Sequence, residues 1–243
     1  MAISIGFPIT CSRQNPDYAA LLLATSYLGQ HRMSGGVLYD EMREERGLNY
    51  GDYAYMEYFP RGMYQMEPSP NQARRYQIFQ IWIRPVQPPN AKFAVRLALY
   101  ELAQLIKNGI SEDNFETTRD FLSKYANLLG RTQSAQLGFA VDDMYYDRPA
   151  FNQTLKANLA KLNVAEVNRV VRRYLRTDQL VIVAVGKNGE ELKQQLANDE
   201  PSPMTYNSPK PPSVTDVDRI AEKWPLHLKG ADIKVVPVDQ VFQ

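Results

Sequence analysis

This chain of 243 residues has one cysteine and two histidines, little from which to build a zinc site. Cys11 has no second cysteine for an intrachain disulfide, and alone it builds no thiolate metal site. Following a probable strand, it reads as a small core or edge residue rather than a nucleophile. His31 and His227 lie in remote contexts. A catalytic zinc takes three protein ligands, and the sequence presents no cluster that supplies them. There is no glycine-rich phosphate loop: Gly35-Gly36 is too short and lacks the Lys and Ser/Thr that cradle phosphate. Nothing brings a Ser-His-Asp set together. No apolar run is long enough to span a bilayer. Met1-Ala2-Ile3-Ser4 lacks the basic region and apolar core of a signal peptide. The formal net charge is +1, which gives no pull toward nucleic acid or a membrane surface.

What is present is ordinary globular material. Hydrophobic residues make up 44% and charged residues 23%, enough for a sizeable core in one large domain or two small ones. Ile3 to Pro8 reads as a strand. Asn15-Pro16-Asp17 carries the residue types of a helix start, with Asn as N-cap and Pro at the first helical position. Tyr18 to Gln30 is apolar on nearly every side, which predicts a largely buried helix. Asn49 to Phe59 reads as a strand covered on both sides, with Tyr53, Tyr55 and Phe59 on one face. A loop is expected over Arg61 to Asn71, then a second strand from Tyr76 to Arg84 that can pair with the first as a hairpin. Ala91 to Lys107 is amphipathic and stops at Gly109, and Ser111 caps the next helix. That helical region runs from Asn114 to about Tyr146, interrupted near Gly130. Val164 to Leu175 is a further helix. Leu180 to Val185 is β-branched and strongly apolar, and predicts a central strand.

Beyond Glu200 the character changes, with seven of the sixteen prolines in that stretch. A tail over 201–243 is expected to wrap a single α+β domain over 1–200. It carries a short helix over Asp216 to Lys223 and a last edge strand over Ile233 to Val238. The fold class is α+β in two layers: an antiparallel or mixed sheet with helices packed on one face.

The segment that holds most information is Gly36 to Tyr55. Val37, Leu38 and Met42 form an apolar stripe at helical spacing. Gly47 sits where a helix C-terminus wants a left-handed residue. A strand follows. The sharp turn can bring Arg43, near the helix end, and Tyr50, near the strand start, to one side. On spacing alone Arg43 reads as a cation capping helix carbonyls and Tyr50 as a packed sheet residue.

Arg43, Gly47, Leu48 and Tyr50 match a pattern of Arg, a Gly-Leu pair, and Tyr seven positions after the Arg. This resembles the Arg…Tyr element in the second domain of the non-catalytic half of pitrilysin/insulinase-type (M16) zinc peptidases. Two further blocks resemble that family in the right order: Asn108-Gly109-Ile110-Ser111-Glu112-Asp113 at a helix start, and Leu162 to Gly186 as closing helix and strand. The family's inverted zinc motif, His-x-x-Glu-His, is absent.

The resemblance implies the metallohydrolase fold shared with LuxS and the mitochondrial processing peptidases. It implies a substrate-positioning domain that supplies Arg43 and Tyr50 in trans to a zinc site held elsewhere. No cofactor is expected in this chain; zinc is expected in the partner half, fused upstream or a separate subunit. The other partner expected is an extended peptide substrate, with no nucleic acid and no membrane span. For the parent protein a periplasmic or cell-envelope setting is the expectation. The alternative reading is a non-proteolytic scaffold of the same fold.

Overall fold

The computed structural model describes residues 1–29, 35–59 and 69–241. Four strands form one antiparallel sheet in the order β2-β3-β1-β4: β1 (Ala2–Ile9), β2 (Gly51–Tyr55), β3 (Gln77–Arg84) and β4 (Val181–Val185). β1 and β3 are the inner strands, and their register sets Ile3 opposite Ile83, Ile5 opposite Ile81 and Phe7 opposite Phe79. All six of these side chains are buried. Alternation along a strand puts them on one face, and that face carries the helices.

α1 (Tyr18–Gly29) packs on β2 and against four other helices, α2 (Ala91–Asn108), α3 (Glu112–Tyr125), α5 (Phe151–Lys161) and α6 (Val164–Tyr174). Neighbours on every side explain why it is apolar all round. The expected start motif lies just before it: the Asn15 side chain accepts the Asp17 N–H at 2.9 Å, and the helix proper begins at Tyr18. α2 (Ala91–Asn108) packs on α6, α7 (Gly189–Ala197) and α8 (Pro212–Ala221). It ends at Gly109, whose φ is +75°. Ser111 caps α3 by accepting the Asn114 N–H. The expected interruption near Gly130 separates α3 from α4 (Gln133–Tyr145). Asn163 and Glu166 close a reciprocal capping box at the start of α6, a device that satisfies two otherwise unpaired amides.

The structure departs from the sequence reading in four places. The strand expected over Asn49 to Phe59 is confined to Gly51–Tyr55, although all five of its residues are buried as foreseen. Leu180 to Val185 does form a strand, but it is an edge strand and not a central one, and Val181, Val183 and Val185 are 63%, 53% and 65% exposed. α5 was not foreseen; its buried positions Phe151, Leu155 and Leu159 have helical spacing. Ile233 to Val238 forms no strand, lying between two 3-10 turns. Of the loop expected over Arg61 to Asn71, residues 61–68 lie outside the described residues.

Candidate functional site

Residues 37–38 begin a helix that widens over Tyr39–Glu44 into π-helical hydrogen bonding, where Glu45 N–H donates to the Asp40 carbonyl at 2.9 Å. Leu38 and Met42 point into the core and are fully buried. That fixes the roll of the helix, so Tyr39 and Arg43, four apart, share the outward side. Gly47 then turns the chain with φ +62°. Its N–H donates to the Arg43 carbonyl, and Leu48 N–H donates to the Met42 carbonyl, each at 2.9 Å. A left-handed conformation costs an L-residue with a Cβ, and glycine escapes that cost. The turn returns the chain beside the helix it has just left.

The result is a three-residue stack. The Arg43 guanidinium carbon lies 4.8 Å from the centre of the Tyr39 ring and 4.8 Å from the centre of the Tyr50 ring. A cation between two aromatic faces gains about 0.5–1 kcal/mol from each at a partly exposed site. Arg43 Nε is 3.7 Å from the Glu44 carboxylate. Glu44 also accepts from the Tyr39 hydroxyl, and this hydrogen bond raises the Tyr39 pKa. Tyr50 is 76% exposed. The stack holds the guanidinium's orientation without burying it, so its N–H groups remain able to grip a carbonyl or carboxylate.

Beneath Tyr50 lies a polar bracket that the sequence reading did not single out. Asn49 Nδ2 donates to Asp52 Oδ1 at 2.5 Å, spanning Tyr50 and Gly51. Asp52 is fully buried. Among the described residues, its second oxygen and the Asn49 side-chain oxygen Oδ1 have no hydrogen-bond partner. Burial pushes the Asp52 carboxyl up to about 7, against the opposing pull of the Asn49 bond and the Arg43 charge.

A second unforeseen residue anchors the element from behind. Arg46 is buried and reaches Glu41 at 2.6 Å and Asp218 of α8 at 2.7 Å. It also donates to the Glu41 and Val214 carbonyls. Tyr206 completes the arrangement by donating to Asp218 at 2.7 Å. The C-terminal segment therefore grips the helix that carries Arg43. Arg96, fully buried in α2, does the same for the chain after α7: it pairs with Asp199 at 2.7 Å and donates to the Glu200 and Glu222 carbonyls. Glu101, five residues beyond Arg96 on α2, has its carboxyl pushed up to about 7, first by burial and then by the nearby Glu41 charge.

His227 is exposed, and His31 lies outside the described residues. Among the described residues, no group of three or more His, Cys, Asp or Glu side chains is placed to hold a metal ion. Cys11 is buried in the core and its thiol is pushed up to about 12, chiefly by burial, so it is inert at neutral pH. Among the described residues, no helix is long and apolar enough to cross a membrane.

Residues 1–122 match the model of the peptidase M16 inactive domain. Among solved structures, the chain is similar to the peptidase M16 inactive domain from Pseudomonas fluorescens, with 24% identity and a TM-score of 0.54 over 77% of this chain and 42% of that one. It is similar to the inactive peptidase domain of a zinc protease candidate from Bordetella parapertussis, with 12% identity and a TM-score of 0.57 over 77% of this chain and 91% of that one. It is also similar to a chain of complex III2 from Candida albicans, with 12% identity and a TM-score of 0.59 over 74% of this chain and 41% of that one. These likenesses are of fold. A comparison with curated protein sequences gave no match.

Proposed function

The chain belongs to the peptidase M16 family as one of its inactive domains, and we propose that it positions extended peptides for a zinc site carried by another half of the assembled enzyme. The observation that carries this reading is the Tyr39–Arg43–Tyr50 stack. It keeps a cation and a phenol side by side at the surface on a wide turn of helix, a geometry that recurs at functional sites.

In the assembled enzyme, Arg43 holds a substrate carbonyl by charge-assisted hydrogen bonds. Tyr50 donates its hydroxyl proton to a hydrogen bond with the oxyanion that develops at the scissile carbonyl. A donor placed so is worth about a hundredfold or more in rate. Tyr39 holds the guanidinium plane from its other side. The metal and the base that serves it belong to the other half, fused upstream or separate, and no residue of this chain acts through them. Residues 1–200 form the domain in this reading, and 201–243 a tail that wraps it; the Arg46–Asp218 and Arg96–Glu222 contacts support that reading.

The second reading is a scaffold without proteolytic chemistry, favoured by the likeness to a complex III2 chain. It leaves the exposed stack without a role. Complementation separates the two. Peptide turnover is measured for the zinc-bearing half alone, with this chain, and with a variant carrying Arg43→Ala and Tyr50→Phe. The positioning reading expects the wild-type chain to accelerate turnover, and the variant to bind the zinc half equally well while restoring little. Equal restoration by both makes the chain a scaffold.

A further inference from the structure

Tyr50 stands in a gap between two well-held stretches of backbone. Leu48 N–H closes the turn on the Met42 carbonyl at 2.9 Å, and strand pairing begins only at Gly51, opposite Arg84. Gly51 has no side chain with which to anchor the join, and a glycine leaves the backbone its widest freedom. What spans the gap is the hydrogen bond from Asn49 Nδ2 to Asp52 Oδ1.

That bond leaves one oxygen over on each side chain. Asn49 Oδ1 and Asp52 Oδ2 are both buried and, among the described residues, without a partner. Two bare acceptors out of water cost free energy. One proton removes both costs. A neutral carboxyl has an O–H donor beside its acceptor oxygen. A proton on Asp52 Oδ2 can therefore be donated to Asn49 Oδ1, while Asp52 Oδ1 keeps the Asn49 N–H. Amide and acid then form a pair closed by two hydrogen bonds.

The surroundings favour the neutral acid. On β3, Ile83 lies opposite Asp52, and Arg84 is turned over the Trp82 ring. α1 packs on β2 and carries no charged side chain. Its two tyrosines are engaged elsewhere, Tyr27 with Asn114 and Tyr18 with Phe151. The Tyr39–Glu44 helix also packs on β2. Its acids have partners of their own: Asp40 the Gly35 N–H, Glu41 Arg46, and Glu44 Tyr39 and Arg43. From that helix it is the Arg43 charge that works against burial.

We propose that Asp52 is held as a neutral acid with its proton donated to Asn49, and that this closed pair positions the Tyr50 side chain against Arg43. Asn49 and Asp52 are thus positioning residues. What Tyr50 is positioned for rests on the function proposed above; the pair itself does not. Loss of the proton leaves a single bond across the gap and sets a negative charge that pulls on Arg43. The carboxyl gives up its proton near 7, so the stack is firm below neutral pH and loosens above it.

The test uses the 243-residue chain alone. Infrared spectra of Asp52→Asn subtracted from those of the wild type isolate the Asp52 carboxyl, because Glu101, which also titrates near 7, cancels. A protonated-carboxyl band is expected below neutral pH. Its frequency should move when the same subtraction is made in an Asn49→Ala background. Nuclear magnetic resonance reads the positioning. The Tyr50 ring centre lies 4.8 Å from the Arg43 guanidinium, so its ring current shifts the Arg43 side-chain signals, and Tyr50→Leu gives their place without it. In the wild type this shift should shrink as the pH rises through neutral. Asp52→Asn puts an N–H where the O–H was, so the pair stays closed and the shift should stay constant. Asn49→Ala should lose most of the shift at every pH, with the fold shown intact by the amide spectrum. A carboxyl already ionised well below neutral pH overturns the proposal. So does a band indifferent to Asn49→Ala, or an Arg43 shift that Asn49→Ala leaves at the wild-type value. With a zinc-bearing half added, Asn49→Ala should lower kcat about tenfold or more with KM little changed. Unchanged kcat beside a lost Arg43 shift would count against the role given to Tyr50 and leave the Asn49–Asp52 pair standing.

Discussion

Replacing Asp52 with asparagine should raise the melting temperature at about pH 8, and the gain should shrink as the pH falls. Asp52 is fully buried, and among the described residues one carboxyl oxygen has no partner. Its carboxyl sits near 7 in the folded protein instead of the ordinary 3.8. Below pH 3.8 the group is protonated whether the chain is folded or not, and burial carries no electrostatic cost. Between 3.8 and 7 the unfolded chain gives up the proton and the folded chain keeps it. Stability therefore falls as pH rises through this window, because the folded state binds more protons.

At about 1.4 kcal/mol for each tenfold change in proton affinity, the gap sets a ceiling of about 4 kcal/mol. Asparagine is neutral at every pH and can still accept the Asn49 bond. Its new N–H₂ replaces an oxygen that has no partner among the described residues, and left unpaired it costs about 1–3 kcal/mol at all pH values. The difference between variant and wild type is thus near zero or negative at pH 3 and positive at pH 8. For a domain of this size each kcal/mol moves the midpoint about 2–4 °C, so the change across the window amounts to several degrees. Thermal melts of both proteins from pH 3 to 8 provide the measurement. Subtraction removes the similar contribution of Glu101, which also titrates near 7. A difference that stays flat across the window would falsify the account of Asp52.

Arg46→Met should lower stability by about 3–5 kcal/mol, because it leaves the buried Asp218 carboxylate without its cation; denaturant melts read the loss, and limited proteolysis should show earlier cleavage after Glu200. Gly47→Ala should cost about 1–2 kcal/mol through backbone strain alone, since a Cβ there meets nothing within 4 Å; a loss well above that range would mean that the turn is held by packing.

Much of the helix–turn–strand element around Arg43 was legible because its determinants are local. Leu38 and Met42 fix the inward face, and Gly47 fixes the turn. The π widening was not legible, since it inserts one residue's worth of slack without changing the apolar spacing much. Tyr39 had a readable signal, four positions before Arg43. Asp52 had none, because an acid in a run of tyrosines looks solvated until the sheet closes over it. Arg46 was invisible for a different reason: its partner Asp218 is 172 positions away. α5 was missed because Phe151, Leu155 and Leu159 are diluted by polar neighbours, although their spacing is helical. β4 was recognised as a strand but misplaced in the sheet. A run of valines states a wish for burial, and which strand lies beyond it depends on a partner the run does not encode.

The central claim concerns one hydroxyl, and Tyr50→Phe removes that and little else. The measurement is kcat for cleavage of an extended peptide by the proposed assembly, this chain together with a zinc-bearing half, beside thermal melts of the same samples. If Tyr50 donates to the developing oxyanion, kcat falls about a hundredfold or more. Stability then changes by less than about 1 kcal/mol, the scale of one ordinary hydrogen bond. Wild-type turnover in the variant would contradict the claim, as would a drop in melting temperature large enough to account for the lost activity.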